Sequence, residues 1–327
     1  MTMRAIVATR LGEPEVLELS AAPRPEPGPG QVLVRVHRVG VNFSDTERRR
    51  AVYRQPNLPW IPGGEGAGVV EAVGEGVDAA LRGRRVGFFK PPTESGAYAE
   101  YAVAPASTLF FLSDRLSFDE GAALPLQGLT AYGLVRIAAR IEAGQTVLIH
   151  AAGGGLGLLA VQLCRLAGAR VLGTASTEAK AEAVRAMGGE PLAYGDDLVE
   201  RVFAATARRG VDVVLDSVGQ ATQDASLAML APYGHLVFYG DASGPPRPID
   251  PDRLYQLSLK VSAFTLEQSR HPELWETARR DLLRWVEDGS LRLTIARVLP
   301  LAAAAEAHRL IESRQVAGKL LLDVNGE

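Results

Sequence analysis

The strongest chemical signal in the sequence is a glycine-rich segment that separates an apolar strand pattern from an apolar helix pattern. The strand pattern runs from Thr146 to His150, and Ala151-Ala152-Gly153-Gly154-Gly155-Leu156-Gly157 follows it directly. Small residues let the backbone approach a pyrophosphate, whose charge is stabilised by the N–H groups and the positive dipole end of the following helix. The alternative is a glycine-rich turn without a ligand. We predict a dinucleotide site whose backbone contacts are Ala152, Gly154, Gly155, Leu156 and Gly157.

The end of the next predicted strand indicates which dinucleotide binds. Residues 173–177 contain no Asp or Glu, the residues with which NAD-binding proteins bind the ribose 2′-hydroxyl. Ser176 and Thr177 can donate hydrogen bonds to a 2′-phosphate, Lys180 adds a positive charge, and Tyr194 ends the following strand. These residues favour NADPH over NADH. The alternative is that Thr177 caps a helix and Lys180 is an exposed surface lysine.

Length and composition indicate two folded domains and a small-molecule partner. At 327 residues the chain exceeds the size at which one hydrophobic core usually keeps growing. Its formal net charge is only −3, so no strong field attracts nucleic acid or a membrane surface. Cys164 is the single cysteine, which excludes intramolecular disulfides and metal sites with several thiolates. No apolar run has the length of a membrane span, and we expect a soluble cytoplasmic protein.

Residues 1–122 are interpreted as a β-rich domain, because short β-type runs are cut by glycine and proline. The proline-rich stretch Ala21–Gly30 is interpreted as a turn-forming connector. The predicted strands are Ala5–Ala8, Val32–Val41, Gly68–Val73 and Arg84–Phe89.

Residues 123–265 alternate strands with helix-length segments, which is typical of βαβ units on a parallel sheet. The predicted strands are Thr146–His150, Arg170–Ala175, Val211–Asp216, His235–Tyr239 and Lys260–Phe264, and the predicted helices are Leu156–Ala167, Glu178–Met187 and Leu198–Arg208. After residue 265 the alternation breaks, and the tail is interpreted as a return to the first domain. The predicted fold is α/β, with a doubly wound parallel sheet (123–265) inserted in a β-rich domain (1–122 and 266–327).

Several motifs together resemble the medium-chain dehydrogenase/reductase superfamily and, within it, the zinc-independent quinone oxidoreductase and zeta-crystallin group. They are Val41–Asp45, Pro62–Gly68, Gly96–Tyr101, the glycine turn, Gly121–Pro125, Thr130–Tyr132, Asp216–Gly219 and Gly318–Lys319. The resemblance covers essentially the whole chain and implies a GroES-like catalytic domain that holds a Rossmann domain. It also implies NADPH-dependent reduction of a quinone or related conjugated carbonyl compound by a homodimer or homotetramer.

The zinc alcohol dehydrogenases of the same superfamily have metal ligands that this chain lacks. Their cysteine ligand is replaced by Asn42 and their histidine by Gly64, while the neighbouring glutamate is kept as Glu65. We therefore expect no zinc. Polarisation of a carbonyl must then come from hydrogen-bond donors, which suits quinones and enones because they are already electrophilic.

Four residues are candidate catalytic groups. The resemblance implies that Asn42 lies near the nicotinamide ribose or the substrate oxygen, although it could be only a turn residue. Asp45 lines the site or serves as a cap or ion-pair partner, and Tyr53 donates to the substrate oxygen or packs in its loop. Thr130, which is predicted to begin a helix, contacts the nicotinamide end of the cofactor, caps the helix, or does both.

Further cofactor contacts are expected at the carboxyl ends of the parallel strands, where such folds bind ligands. The candidates there are Ser217, Phe238, Tyr239, Gly240 and Phe264. Lys319 either reaches the cofactor or is an exposed strand residue.

Three other polar residues are expected to have mainly structural roles. Glu65 lies beside a run of glycines, and Tyr98 precedes an alternating strand and is expected in the core. His150 is expected to be buried with its hydrogen bonds satisfied.

Alternative functions remain open. A 2-alkenal or enone reductase would share the site, and an enoyl-thioester reductase would need a basic patch, for which Arg48-Arg49-Arg50 and Arg54 are candidates. The other interpretation of this run is a solvated helix face. A non-catalytic NADPH-binding sensor or structural protein is a further alternative, whereas the acidic balance argues against RNA binding.

Overall fold

The structure is a computed structural model that describes residues 1–90, 96–266 and 271–326. The strands in chain order are β1 (Thr2–Val7), β2 (Glu18–Pro23), β3 (Gln31–Val41), β4 (Glu65–Val73), β5 (Arg85–Phe89), β6 (Tyr101–Pro105), β7 (Leu109–Phe111), β8 (Thr146–Ile149), β9 (Arg170–Ala175), β10 (Glu190–Ala193), β11 (Val211–Asp216), β12 (Leu230–Phe238), β13 (Lys260–Ala263), β14 (Ile295–Pro300) and β15 (Lys319–Asp323).

The helices connect these strands. In chain order they are α1 (Phe43–Arg49), α2 (Phe118–Ala123), α3 (Pro125–Gly133), α4 (Gly155–Leu166), α5 (Glu178–Ala186), α6 (Leu198–Ala205), α7 (Gln223–Ala228), α8 (Pro251–Tyr255), α9 (Pro272–Glu287) and α10 (Ala304–Glu312). A π-helical turn, Leu134–Ala138, continues α3.

The chain divides into two compact units. Unit 1 is Met1–Leu126 with Arg279–Glu327, and unit 2 is Gln127–Ala278. The boundaries after Leu126 and after Ala278 lie further along the chain than the predicted boundaries at 122 and 265. They fall inside α3 and α9, where the sequence pattern does not change and so does not mark a boundary. The inserted arrangement of an α/β fold is the predicted one.

Unit 1 is built on a sheet of order β14-β15-β3-β4-β5-β7, with β6 also paired to β3. Strand β15 runs antiparallel to β3 with Leu320 opposite Val41, and β3 runs antiparallel to β4 with Val39 opposite Gly66. This register brings the N-terminal ends of β4 and β15 to the C-terminal end of β3. The returning C-terminal strand is thus a central element of the unit, and its first residue lies beside the start of α1.

Unit 2 contains a parallel sheet of order β10-β9-β8-β11-β12-β13. Strands β8 and β11 are neighbours although β9 and β10 continue on the other side of β8, so the strand order reverses between β8 and β11. Residues 147–149 and 213–215 are buried apolar runs, as expected for strands covered on both faces. Ligands bind at the carboxyl edge of such a switch point, where His150 and Asp216 lie.

The structure corrects two local predictions. Ala21–Pro23 belong to β2 and not to a connector. Strands β2 and β7 were not predicted, whereas the alternating strand expected after Tyr98 is β6. Helix α3 begins at Pro125, so Thr130 lies inside it and does not begin a helix. Strands β2 and β7 could not be predicted because three to six residues carry too little periodicity to distinguish a strand from a loop.

Gly68 in β4 provides a test of how closely β3 and β4 approach. A Cβ atom at this position would lie 2.0 Å from the backbone oxygen of Arg35 on β3. The strand pairing leaves that oxygen no room to move, so we expect Gly68→Ala to lower the free energy of unfolding by roughly 1–3 kcal/mol. Urea unfolding measures it. Gly64→Ala is the control, since its nearest neighbour, the Lys90 oxygen, is 3.9 Å away; an equal loss for both variants would contradict the account.

Candidate functional site

The glycine turn of unit 2 rests on a buried hydrogen-bond network. His150, the residue after β8, is fully buried, with Nε2 3.0 Å from the Ser226 hydroxyl and Nδ1 3.3 Å from the Thr174 hydroxyl. Ser226 donates to Asp216 at 2.9 Å, so Nε2 must carry the proton that His150 donates to Ser226. Burial lowers the pKa of His150, opposed by the charge of Asp216. The prediction of a buried, satisfied histidine is confirmed.

Asp216 organises the loop after β11. Its Oδ1 accepts from the amides of Val218 (2.7 Å) and Gly219 (3.0 Å), and its Oδ2 accepts from Thr222 at 2.7 Å. The same carboxylate therefore shapes this loop and, through Ser226 and His150, reaches the glycine turn. The sequence indicated Asp216 only as part of a motif. Ser226, Thr174 and Thr222 were missed, because nothing in their spacing shows that they face one carboxylate.

Two predicted 2′-phosphate contacts lie at the glycine turn. The Ala151 amide donates both to the Thr174 hydroxyl (3.0 Å) and to the Tyr194 hydroxyl (2.9 Å), and Tyr194 is 38% exposed. The stem of Lys180 covers Gly153, where an added Cβ would lie 2.6 Å from the Lys180 Cβ. Glycine at position 153 is thus required by the approach of Lys180.

Ser176 and Thr177 follow β9 beside this group. Ser176 is exposed, and Thr177 is the N-cap of α5, accepting from the Lys180 amide at 3.3 Å. The capping interpretation of Thr177 is confirmed, and its contact with a phosphate stays a prediction. Ala152 is buried in the turn, while Gly154 caps α4 and Gly155 and Leu156 begin it. Gly157 lies one residue further inside the helix.

The other candidates of unit 2 lie at the carboxyl edge with different surroundings. Ser217, Tyr239 and Gly240 are half-buried, whereas the Phe238 side chain is buried in the core below. Burial raises the pKa of Tyr239. Phe264 packs against α3 at Gly133, where an added Cβ would lie 2.3 Å from its ring. Phe238 and Phe264 can thus offer a ligand mainly backbone groups.

Unit 1 contains a buried charged cluster at the N-terminal ends of β4 and β15. The Lys319 ammonium, only 2% exposed, donates to Glu65 Oε1 at 2.6 Å and to Asn42 Oδ1 at 2.7 Å. Asn42 Nδ2 donates to the same Glu65 oxygen at 2.8 Å, and the Leu126 amide donates to Glu65 Oε2 at 2.7 Å. The alternative of an exposed Lys319 is wrong, and its direct contact with a cofactor stays a prediction.

Asp45 begins a second polar chain in the same unit. Its Oδ2 accepts from the Asn42 amide at 3.1 Å and lies 3.5 Å from the Tyr98 hydroxyl, which lies 3.2 Å from His308 Nε2. Burial raises the pKa of Asp45, and burial together with Arg49 lowers the pKa of His308 to about 3. Asp45 therefore caps α1, as one interpretation predicted, and Tyr98 is in the core as expected.

Two arginines of the run on α1, Arg48 and Arg49, belong neither to a basic patch nor to a solvated face. Arg49 is fully buried and its guanidinium lies 2.5 Å from Glu312 on α10, while Arg48 is buried with Asp45 at 3.8 Å. For these two residues both interpretations are wrong because α1 packs against α10, whereas Arg50 and Arg54 are exposed. Tyr53 is half-buried in the following loop, with the guanidinium groups of Arg48 and Arg54 at 5.8 and 5.3 Å from its ring centre.

Thr130, the last candidate, is half-buried within α3. Its position inside the helix excludes the N-cap role that competed with a cofactor contact. Within the described ranges no group of three or more His, Cys, Asp or Glu side chains is placed to hold a metal ion. No helix in the same ranges is long and apolar enough to cross a membrane.

Comparison with known proteins decides the family. Residues 28–114 match the family described as alcohol dehydrogenase GroES-like domain, and residues 189–322 match zinc-binding dehydrogenase. Quinone oxidoreductase of Pseudomonas aeruginosa is 39% identical over 315 residues, 95% of this chain and 96% of that protein. The chain belongs to the quinone oxidoreductase family of medium-chain dehydrogenases/reductases.

Two further proteins are similar over nearly the whole chain. The crystal structure of Escherichia coli quinone oxidoreductase complexed with NADPH has a TM-score of 0.92 at 34% identity, covering 98% of this chain and 99% of that one. A 2-haloacrylate reductase of a Burkholderia species is 37% identical, over 98% of this chain and 99% of that protein. These relatives bear out the predicted Rossmann and GroES-like folds.

The low pKa of His308 predicts acid sensitivity of the quinone oxidoreductase fold seen here. The folded state keeps this imidazole neutral down to about pH 3, whereas the unfolded state takes up its proton near the ordinary value of 6.5. The unfolded state thus binds more protons in this window, and stability present above it is lost as the pH falls, by up to about 1.4 kcal/mol per pH unit.

Urea unfolding of wild type and His308→Asn between pH 7 and pH 4 measures this effect. We expect the free energy of unfolding of the wild type to fall more steeply with acid than that of the variant. Parallel profiles would show that His308 does not contribute.

Proposed function

We propose that this protein is a zinc-independent, NADPH-dependent reductase that transfers hydride to a quinone or a related conjugated carbonyl compound. The observation that carries the proposal is the arrangement at the glycine turn. Lys180 lies against Gly153, the Tyr194 hydroxyl accepts from the Ala151 amide, residues 173–177 carry no carboxylate, and the N-terminus of α4 offers N–H groups. A site that combines an anion-binding turn with a lysine and hydroxyl groups fits a dinucleotide that carries a 2′-phosphate.

The residues of both units receive proposed roles. The backbone from Ala152 to Gly157 binds the pyrophosphate, and Ser176, Thr177, Lys180 and Tyr194 bind the 2′-phosphate. Backbone and hydroxyl groups at Ser217, Phe238, Tyr239, Gly240 and Phe264 hold the nicotinamide end. The groups proposed to face the reacting atoms are Asn42, Asp45, Tyr53 and Thr130.

The bound cofactor supplies hydride to the quinone, and one proton from solvent completes the hydroquinone, so that NADPH, quinone and H⁺ give NADP⁺ and hydroquinone. A conjugated acceptor spreads the incoming charge, which leaves the protein chiefly the tasks of orientation and hydrogen bonding.

The donor set of unit 1 does not fit a catalytic zinc ion. Glu65 is the only retained ligand type, and both of its oxygens already accept hydrogen bonds, from Lys319, Asn42 and the Leu126 amide. An ammonium 2.6 Å from the carboxylate would repel a divalent cation at the same place. The proposal therefore routes no step through a metal.

A conjugated alkene is the second candidate substrate. The similarity to a 2-haloacrylate reductase supports it, because that name describes reduction beside a carboxylate. An enoyl-thioester is less well supported, since Arg48 and Arg49 are buried and do not form the basic patch it would need.

We also infer a cytoplasmic homo-oligomer. Strand β13 lies at the edge of the parallel sheet, and Tyr233, Tyr255 and Leu257 are exposed apolar residues of the same unit. An open edge with apolar neighbours suits pairing with a second copy. Light scattering after gel filtration tests this, and a monomer would contradict it.

The function is tested by following NADPH oxidation with a panel of acceptors. The panel contains a benzoquinone, a phenanthrenequinone, a 2-alkenal, 2-chloroacrylate and crotonyl-CoA, with NADH and a chelator as controls. We expect chelator-insensitive turnover, with the largest kcat/KM for a quinone. Turnover of 2-chloroacrylate alone would favour the second candidate, and NADPH binding without any turnover would contradict both.

Lys180→Met tests the choice of cofactor. Loss of a charged hydrogen bond to the 2′-phosphate costs about 1.5–3 kcal/mol, so KM for NADPH should rise about 10- to 100-fold while KM for NADH stays within about twofold. Arg185→Met removes an exposed charge from the same helix and should change neither value. Equal effects of Lys180→Met on both cofactors would contradict the assignment.

A further inference from the structure

The buried polar residues behind the glycine turn form a chain whose hydrogen-bond donors all point the same way. The Asp216 carboxylate can only accept, so Ser226 donates to it at 2.9 Å and accepts in turn from His150 Nε2 at 3.0 Å. Burial lowers the pKa of His150 and keeps the ring neutral, so Nδ1 is an acceptor for the Thr174 hydroxyl at 3.3 Å. Thr174 accepts from the Ala151 amide at 3.0 Å. Each donor of the chain is therefore directed towards Asp216.

The side chains of this chain are closed to solvent. Asp216, Ser226, His150 and Thr174 are each 0% exposed, so bulk water does not compete for their hydrogen bonds. In such surroundings a hydrogen bond is electrostatically stronger than in water, and successive bonds polarise one another. Removal of one link leaves the neighbouring donor or acceptor buried without its partner. The links therefore depend on one another.

At one end the chain holds the first residue of the glycine turn. Ala151 has a φ of +53°, a left-handed conformation that residues with a side chain rarely adopt and that surrounding contacts must maintain. Its amide donates to the hydroxyl groups of Thr174 and Tyr194, at 3.0 and 2.9 Å. Residues 152–157, whose amides are proposed to bind the pyrophosphate, follow directly. The direction of those amides depends on the conformation held at Ala151.

At the other end the same carboxylate holds the loop proposed to bind the nicotinamide. Asp216 Oδ1 accepts from the amides of Val218 and Gly219, at 2.7 and 3.0 Å. Ser217 lies against Gly240, where an added Cβ would be 3.0 Å from the Ser217 oxygen. Both of these residues are among the proposed nicotinamide contacts. One carboxylate thus positions groups for both ends of a dinucleotide.

We propose that Asp216 couples the two halves of the dinucleotide site, and that Ser226, His150 and Thr174 are the positioning residues through which it does so. Order that the nicotinamide imposes on the loop after β11 reaches the glycine turn through the chain. A pyrophosphate bound in the turn has the same effect on the loop, because coupling between two sites is reciprocal. The inference rests on the proposed function, which it deepens by naming buried residues that set the affinity for the cofactor as a whole.

Two ligands separate the halves of the site experimentally. NADPH occupies both halves, whereas 2′-phospho-ADP-ribose carries the adenosine, the 2′-phosphate and the pyrophosphate but no nicotinamide. Isothermal titration calorimetry of the full chain gives a Kd for each ligand. Ser226→Ala removes the link nearest the loop, and thermal unfolding verifies that the variant folds.

We expect Ser226→Ala to raise the Kd of both ligands about fivefold, the effect of losing one buried neutral hydrogen bond. Thr222→Val is the matched control, since Thr222 donates to the same carboxylate at 2.7 Å but lies outside the chain. It should raise the Kd of NADPH and leave that of 2′-phospho-ADP-ribose within about twofold. Unchanged binding of 2′-phospho-ADP-ribose by Ser226→Ala, or an equal loss in both variants, would overturn the inference.

Thr174→Val tests the link nearest the turn and serves if Ser226→Ala does not fold, because valine has nearly the shape of threonine. It should weaken both ligands about fivefold, and Thr174→Ser, which keeps the hydroxyl, should restore both Kd values to within about twofold of wild type. In Thr174→Val/Ser226→Ala the chain is broken by either change, so Kd should lie within about twofold of the single variants. Multiplied single effects would show independent structural roles and contradict the coupling.

The binding measurements keep this inference separate from the proposed function. A protein that shows the coupling but reduces no acceptor would refute the proposed function and leave the inference standing. A protein that reduces quinones with NADPH, and whose ligand binding is insensitive to Ser226→Ala and Thr174→Val, would refute the inference alone.

Discussion

Burial of the Lys319 ammonium against the Glu65 carboxylate is the constraint on which the candidate site of unit 1 depends. A buried ion pair is tolerated only when its geometry is good and its remaining hydrogen-bonding groups are satisfied. Here Asn42 and the Leu126 amide complete the shell of Glu65. Because these partners come from α1, α3, β4 and β15, the pair fixes the start of two helices against two strands. The side chains of Asn42 and Asp45 are held rigidly for the same reason.

In unit 2 the buried charge is the Asp216 carboxylate, and a neutral histidine, His150, connects it to the glycine turn through Ser226. The Asp216 carboxylate is buried at the end of β11 and receives hydrogen bonds from two amides and two hydroxyl groups. Through Ser226 it orients His150, whose other nitrogen contacts the Thr174 hydroxyl that also accepts from the Ala151 amide. The glycine turn is therefore held by a continuous polar network at the switch point of the sheet. Such preorganisation reduces the ordering cost of binding a dinucleotide.

The elements of the fold could largely be predicted from the sequence, because apolar runs and glycine turns are local signals. The turn after β8, the strands of the parallel sheet and the helices α4, α5 and α6 all follow such signals. The partners of polar residues could not be predicted in this way. Arg49 reads as one of three consecutive arginines, yet its partner Glu312 is far away in sequence, and only the packing of α1 on α10 shows the pair. For the same reason the sequence could not decide whether Lys319 contacts the cofactor or is exposed, since its partners Asn42 and Glu65 are far away in sequence.

The central claim is that hydride passes to a conjugated carbonyl compound without a metal ion. It is tested most directly by single-turnover stopped-flow kinetics with NADPH deuterated at the transferred position, on protein whose zinc content has been measured by mass spectrometry. The account predicts a primary isotope effect on quinone reduction and a rate that does not depend on zinc content or chelator. A rate that rises in proportion to bound zinc, or that is lost on its removal, would contradict it.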